Sequence, residues 1–164
     1  MTLNIRPMVK KDKPALMEIL RHTPEFKPSE VSVAEDVIDS YLHDTNSYNI
    51  FIAEVDKSIT GYICYGNTPL TESTWDMYWL VVSPDKQGQG VGSALTAFAE
   101  EQIRKNGGRL VIIETSAKLG YEKTRHFYLG HGYEIICCIA DFYAPGDDKI
   151  ILQKRINQKP NSAN

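Results

Sequence analysis

The chain is short of the residues that would hold it together covalently or around a metal. Its three cysteines are Cys64, Cys137 and Cys138, and the last two are adjacent. That spacing builds no disulfide framework. Without a spaced set of cysteines and histidines, no zinc or other metal site is expected. Long apolar runs are missing as well. None approaches the roughly 20 residues that a bilayer-spanning helix needs, so no membrane partner is expected. The opening stretch MTLNIRPMVKKDK has none of the apolar character of a secretory leader, and the expected compartment is the cytoplasm. Basic clusters are scarce too: no basic run is longer than Lys10-Lys11, and the net charge is −3. A protein that grips nucleic acid by its phosphates carries a lysine and arginine footprint, so nucleic acid is not an expected partner.

What is present describes a single globular domain. A chain of 164 residues is long enough to bury about 70% of the surface its unfolded form exposes. No repeat or linker divides it. One domain over residues 1–157 is expected, followed by a polar tail over 158–164 that frays. Residues 2–8 read as a strand. KDKPALMEILRHT places Leu16, Ile19 and Leu20 on one helical face, with Pro14 in the first turn. KPSEVSVAEDVIDSYLHD has helical spacing, with Ser29 as its expected N-cap. YNIFIAEV and ITGYICYG flank Asp56-Lys57-Ser58 as a hairpin. STWDMYWLVVS is a third strand, rich in aromatic and β-branched residues.

A glycine-rich turn comes next, and then a helix with Val91, Leu95, Phe98, Ala99 and Ile103 in one stripe. Asn106-Gly107-Gly108 ends it. RLVIIETS reads as a strand covered on both faces, and YEKTRHFYLGHGY as a short helix ending in glycine. EIICCIADFY and KIILQKRI are two more strands about the turn Ala144-Pro145-Gly146-Asp147, with Cys137 and Cys138 expected in the core. Strand, glycine turn, helix and strand over residues 74–116 form a βαβ unit with parallel strands. The expected fold is α/β, a mixed sheet of about six or seven strands with helices on both faces.

The glycine turn carries the chemistry. A helix N-terminus offers unpaired N–H groups and the positive end of the macrodipole. Glycines at 88, 90 and 92 let the backbone take positive φ and approach a ligand closely. A phosphate or pyrophosphate cradle is the functional reading; a turn that needs glycine for bare steric reasons is the competing one. The nucleotide-hydrolase pattern requires a lysine where Gly92-Ser93-Ala94 has none, and the dinucleotide pattern requires a different glycine spacing.

Gln87-Gly88-Gln89-Gly90-Val91-Gly92, preceded by the strand MYWLVVSPD, resembles the pyrophosphate-binding motif of the GNAT superfamily, the acyl-CoA-dependent N-acyltransferases. TRHFYLGHGYE resembles the closing helix of that family, and the order of segments from residue 2 to about 155 agrees with its topology. DFYAPGDDKIIL resembles the ending of one bacterial subgroup. The resemblance implies acetyl-CoA as co-substrate, lying across two parallel strands, 75–82 and 109–116, that splay apart. It places the pyrophosphate on the N–H groups of residues 87–93, that is Gln87, Gly88, Gln89, Gly90, Val91, Gly92 and Ser93. The pantetheine arm would pair with the backbone of Val81 and Val82. In the closing helix Tyr121 and Thr124 stand where the family often has asparagine and alanine; Thr124 is retained as a cofactor contact.

Acyl transfer needs a neutral amine, although a free alkyl ammonium has a pKa near 10, and it needs a proton for the departing thiolate. Tyr128 occupies the family's tyrosine position and is the expected general acid, against plain packing beside Phe127. Asp76, eleven residues before Gln87, is the first candidate for the base. Glu114 is the second, the competing role being a partner for Arg125 or a lysine. A chain of waters in place of either also remains open. The expected reaction is direct attack through a tetrahedral intermediate, with no covalent acyl-enzyme.

The helical pair over residues 20–44 and the loops GNTPLTEST and DFYAPGD are expected to wall the acceptor site. Tyr41, Trp75, Trp79, Phe142 and Tyr143 are aromatic candidates for lining it. The expected acceptor is the primary amine of a small molecule. The alternatives are a protein or peptide N-acetyltransferase, or a non-catalytic acyl-CoA-binding sensor. A homodimer is among the expected partners, although no stripe in the sequence identifies its interface.

Overall fold

A computed structural model describes residues 2–156; the polar tail expected over 158–164 lies outside the described residues. In chain order the elements are β1 (Leu3–Pro7), α1 (Lys13–His22), α2 (Pro28–His43), β2 (Asn49–Val55), β3 (Ser58–Asn67), β4 (Thr74–Val82), α3 (Val91–Lys105), β5 (Leu110–Ser116), α4 (Glu122–Gly130), β6 (Glu134–Ala144) and β7 (Asp147–Arg155). The strands hydrogen-bond in the order β1-β2-β3-β4-β5-β7-β6. This is the mixed α/β sheet expected from the βαβ pattern. The chain divides into two compact units, one of Met1–Gly66 with Met77–Ala99 and the other of Asn67–Asp76 with Glu100 onward.

The first unit is organised by a tight hairpin. Asp56 and Lys57 hold positive φ, at 49° and 69°, which gives a two-residue turn the twist that joins antiparallel strands without splaying them. Strand β1 adds antiparallel to β2, with Leu3 opposite Val55 and Pro7 opposite Phe51. Helices α1 and α2 carry apolar residues at helical spacing. Leu16, Leu20 and Ile38 bury completely in one cluster with Ile50, Ile52 and Tyr62. Tyr41 is buried in the same cluster, its hydroxyl donating to the Met8 carbonyl at 3.0 Å, so it serves the core and not an acceptor pocket. The N-cap of α2 is Lys27, not Ser29. Pro28 takes the first helical position, where its missing N–H costs nothing, and the Glu30 carboxylate accepts the Lys27 N–H at 2.7 Å.

A buried ion cluster fixes the start of α1. Both Asp12 oxygens accept from the Arg6 guanidinium, at 2.8 and 2.9 Å, and the Val9 N–H donates to the same carboxylate at 2.8 Å. Glu54 accepts from Arg6 at 2.7 Å on the other side. The guanidinium holds the Asp12 carboxyl below its ordinary value. A depressed folded-state pKa contributes stability that is fully present above the unfolded value of about 3.9 and is lost as pH falls through the folded one. Asp12→Asn is therefore expected to cost about 1–3 kcal/mol at neutral pH, since it removes charged hydrogen bonds and leaves the half-buried Arg6 with Glu54 alone. Urea melts should show that difference shrinking below about pH 4.

In the second unit β5 pairs antiparallel with β7, Leu110 opposite Arg155 and Ser116 opposite Lys149. β6 pairs antiparallel with β7. The pairing of β4 with β5 is parallel and involves Thr74, Trp75 and Asp76 against Leu110, Val111 and Ile112, the first three residues of each strand. Helix α3 presents the expected stripe, with Val91, Leu95, Ala99 and Ile103 buried. It ends at Gly107, whose φ of 77° suits glycine at a helix C-terminus. Two expectations fail on burial. On one face of β5 Leu110 and Ile112 are half-buried and Glu114 is exposed, so the strand is not covered on both faces. Cys137 and Cys138 are exposed, as is every residue of β6. The strand order puts β6 at the end of the sheet, beyond β7, and no helix covers an edge strand from its apolar content alone.

Candidate active site

The cradle lies in the first unit. After β4 a short 3-10 turn, Pro84–Lys86, leads into residues 87–90, all of them exposed. Gly88 and Gly90 hold φ of 73° and 86°, a region that side chains with a Cβ occupy only at a cost of about 1–2 kcal/mol. Nothing lies within 4 Å of where a Cβ would stand at either glycine, so the conformation and not crowding calls for glycine. The first bond of α3 runs from the Ala94 N–H to the Gly90 carbonyl at 3.0 Å. The N–H groups of Val91 and Gly92 thus have no helical carbonyl behind them. The turn is braced by its own glutamines. Gln89 donates to the Asp85 carbonyl at 3.0 Å, and Gln87 donates to the Val82 carbonyl at 3.2 Å.

Val81 is buried and Val82 half-buried. β3 approaches them closely. A Cβ on Gly61 would fall 2.5 Å from the Val81 carbonyl oxygen and 3.2 Å from the Val82 Cα.

Tyr128 lies in the second unit, buried near the end of α4. Its ring meets Phe127 edge-on at 5.2 Å and Tyr133 at 5.4 Å between centroids. Burial pushes the Tyr128 phenol well above its ordinary value, so it carries its proton throughout the neutral range. Behind it stands a buried network. The Tyr133 hydroxyl donates to Glu100 Oε1 at 3.0 Å, and Lys154 Nζ donates to both Glu100 oxygens, at 3.0 and 2.8 Å. The Tyr133 N–H also donates to the Tyr128 carbonyl at 3.1 Å, across the turn at Gly132 with its φ of 87°. Thr124 is half-buried one helical turn before Tyr128, on the same face of α4.

The two acids share a face of the second unit's sheet. Asp76 stands opposite Ile112 in parallel register, and Glu114 is two residues further along β5. Asp76 is half-buried and accepts from the Thr68 hydroxyl at 2.6 Å. Glu114 is exposed and pairs with Lys149 Nζ at 2.7 Å. Lys149 itself lies over the Phe142 ring at 3.9 Å. Arg125 is not the partner of Glu114; it donates to the carbonyls of Ser116 and Lys118, each at 2.8 Å, and ties α4 to the end of β5.

Sequence reasoning missed three features. The Thr68 contact with Asp76 depends on how the loop before β4 folds back. The Glu100–Tyr133–Lys154 network was signalled only by a glutamate on the apolar side of α3. The third is which residues of the helical pair shape a cleft: about 380 Å³ in the first unit, lined by Met17, Arg21, Phe26, Val31 and Glu35, within or beside the 20–44 segment expected to wall the acceptor site. Of the aromatic residues named for the acceptor site, Trp79 packs edge-on against Phe26 of this cleft at 5.6 Å. Among the described residues no group of His, Cys, Asp or Glu could hold a metal ion, and no helix is long and apolar enough to cross a membrane.

Residues 46–135 match the acetyltransferase (GNAT) domain family. The chain belongs to that family, as an acyl-CoA-dependent N-acetyltransferase. It is similar to an aminoalkylphosphonate N-acetyltransferase of Salmonella typhimurium, 27% identical over 73% of this chain and 74% of that one. A solved GNAT-family protein from Desulfovibrio desulfuricans is 36% identical, with a TM-score of 0.90 over 95% of this chain and all of that one. The PaiA N-acetyltransferase of Thermoplasma acidophilum, solved with coenzyme A, shares the fold at 16% identity, with a TM-score of 0.75 over 94% of this chain and 99% of the other.

Proposed function

We propose that the chain transfers an acetyl group from acetyl-CoA to the primary amine of a small molecule. The observation that carries this reading is the exposed turn at the start of α3, with Gly88 and Gly90 in left-handed conformations and open space beside both. A pyrophosphate fits there because backbone N–H groups, and not side chains, would meet it. Residues 87–93 hold that group, and the backbone of Val81 and Val82 guides the pantetheine arm. Thr124 lies on the helix face that Tyr128 shares.

In the reaction the amine nitrogen attacks the thioester carbonyl. The C–N bond forms, the C–S bond breaks, and no protein side chain is acylated. Asp76 accepts the proton that the ammonium must lose, held in place by Thr68. Tyr128 gives its proton to the departing sulfur and regains it from solvent. Glu114, with its charge already met by Lys149, is the alternative proton acceptor.

The cleft beside Phe26 supports a small acceptor. Its volume of about 380 Å³ lies at the lower end of the range for small-molecule sites, about 300–1,000 Å³. It also offers both a guanidinium and a carboxylate, from Arg21 and Glu35. An amine that carries an anionic group would meet both, and the aminoalkylphosphonate in the Salmonella relative's name is such a molecule.

The test is transfer of label from acetyl-labelled coenzyme A into a cell extract, split into protein and small-molecule fractions. Label is expected in the small molecules, and its loss with Asp76→Asn would place the base. Label confined to protein would replace this reading with a protein acetyltransferase. Binding of acetyl-CoA without transfer would replace it with a sensor.

A further inference from the structure

Helix α4 carries Tyr128 on only nine residues, and its N-cap, Tyr121, makes no side-chain capping bond. Isolated helices of fewer than about 12–15 residues are marginal in water. Where Tyr128 stands is therefore decided by what holds the two ends of α4. Arg125 holds the first end, through the carbonyls of Ser116 and Lys118. The second end runs through the turn at Gly132 into Tyr133, and so into the buried group of Glu100, Tyr133 and Lys154. The reaction scheme uses none of these three.

Glu100 is 8% exposed and Tyr133 3%. A buried ion pair is weak evidence for stability by itself, because desolvation offsets most of its attraction. Its geometry is what is specific here. Glu100, on α3, accepts from the Tyr133 hydroxyl on one oxygen and from Lys154 on both. A hydrogen bond to a carboxylate is roughly twice as strong as one between neutral groups. Lys154, opposite Val111 on β7, also backs the turn. Its Nζ lies 5.5 Å from the centre of the Tyr133 ring, and its Cε is 3.4 Å from where a Cβ on Gly132 would stand.

Tyr133 is thus fixed at its hydroxyl and along its ring. From that position it touches Tyr128 twice. Its N–H donates to the Tyr128 carbonyl at 3.1 Å, and the two rings meet at 69° with centroids 5.4 Å apart. Every residue of this chain of contacts belongs to the second unit.

We infer that Tyr133 is a positioning residue that, anchored by Glu100 and Lys154, sets the place from which the Tyr128 phenol delivers its proton. The inference rests on Tyr128 being the general acid. A misplacement of about 1 Å at a reacting group can cost about 10²-fold in rate. Freeing the Tyr133 hydroxyl loosens the turn and shifts the phenol by part of that distance.

The test is a cycle of Tyr128→Phe, Tyr133→Phe and the double variant. Each is read as the rate of label transfer from saturating acetyl-labelled coenzyme A into the small-molecule fraction of one cell extract. Tyr133→Phe keeps the ring and the Glu100–Lys154 pair. It should lower the rate about tenfold and leave KM for acetyl-CoA unchanged. Beside Tyr128→Phe the same substitution should change the rate by less than about twofold, since no phenol proton remains to be placed. A role in stability alone would lower the rate by the same factor in both backgrounds. Should Tyr133→Phe not fold, the cycle is repeated with Glu100→Gln, again with a loss expected only where Tyr128 is present. Equal losses in both backgrounds overturn the inference and leave Tyr128 as the acid. So does an unaltered rate in Tyr133→Phe when Tyr128→Phe is slow. A Tyr128→Phe variant as fast as the wild type, or a wild type that transfers no label, overturns the inference together with the reading beneath it.

Discussion

Tyr128→Phe is expected to lower kcat for acetyl transfer by about 10²- to 10⁴-fold, the range typical of losing a general acid, while KM for acetyl-CoA changes little. The substitution removes one oxygen from a ring packed between Phe127 and Tyr133, so the helix and its core should survive it. An effect on kcat alone marks an interaction made only in the transition state. The pH dependence supplies the second arm. Burial raises the Tyr128 pKa above the ordinary value near 10, and an acid acts while it holds its proton. Activity should therefore rise with pH as the amine loses its proton, with no alkaline decline below about pH 10. A decline near pH 9 that vanishes in Tyr128→Phe would mean the phenol titrates where burial forbids it. Full activity of the phenylalanine variant would remove Tyr128 from the chemistry altogether.

Gly61→Ala should produce a large effect for a single methyl group, and one felt at the cofactor strand. The added Cβ would fall 2.5 Å from the Val81 carbonyl oxygen, and no flexible side-chain end is there to yield. Either β3 or β4 must shift, and overpacking of this kind costs about 1–3 kcal/mol. The displaced backbone is the one proposed to guide the pantetheine arm. The variant should therefore raise KM for acetyl-CoA more than KM for the amine, besides lowering the denaturant midpoint. A variant as stable as the wild type, with both KM values unchanged, would show that the close approach of the two strands is not needed.

The elements were legible because they depend on local rules. The stripe on α3, the stop at Gly107 and the hairpin at Asp56-Lys57 each follow from a few neighbouring residues; only Ser58, read as part of the turn, belongs to β3. The cradle was legible for a similar reason: Gly88 and Gly90 answer to backbone conformation, which a glycine declares wherever it stands. What could not be read depends on register and order. Glu114 finds Lys149 because β7 lies antiparallel beside β5 and puts Lys149 opposite Ser116, and nothing near Glu114 in sequence announces this. The cysteines were misplaced for a larger reason. EIICCIADFY has the composition of a buried strand, and it became an edge only because β7 inserts between β5 and β6. The N-cap of α2 was missed by two residues, because a proline at the first helical position outranked the serine behind it.

The placement of the two lysines on β7 has a consequence for how the sheet is aligned. Lys149 and Lys154 are five residues apart on a strand without a bulge against β5, so they leave opposite faces. One meets Glu114 and the other the buried Glu100. Sliding β7 by a single residue would turn Ile150 and Leu152 outward and, in the same movement, carry both cations away from their carboxylates. The correct alignment is thus written twice on one strand, once in oil and once in charge. An error that satisfied either code would still be rejected by the other.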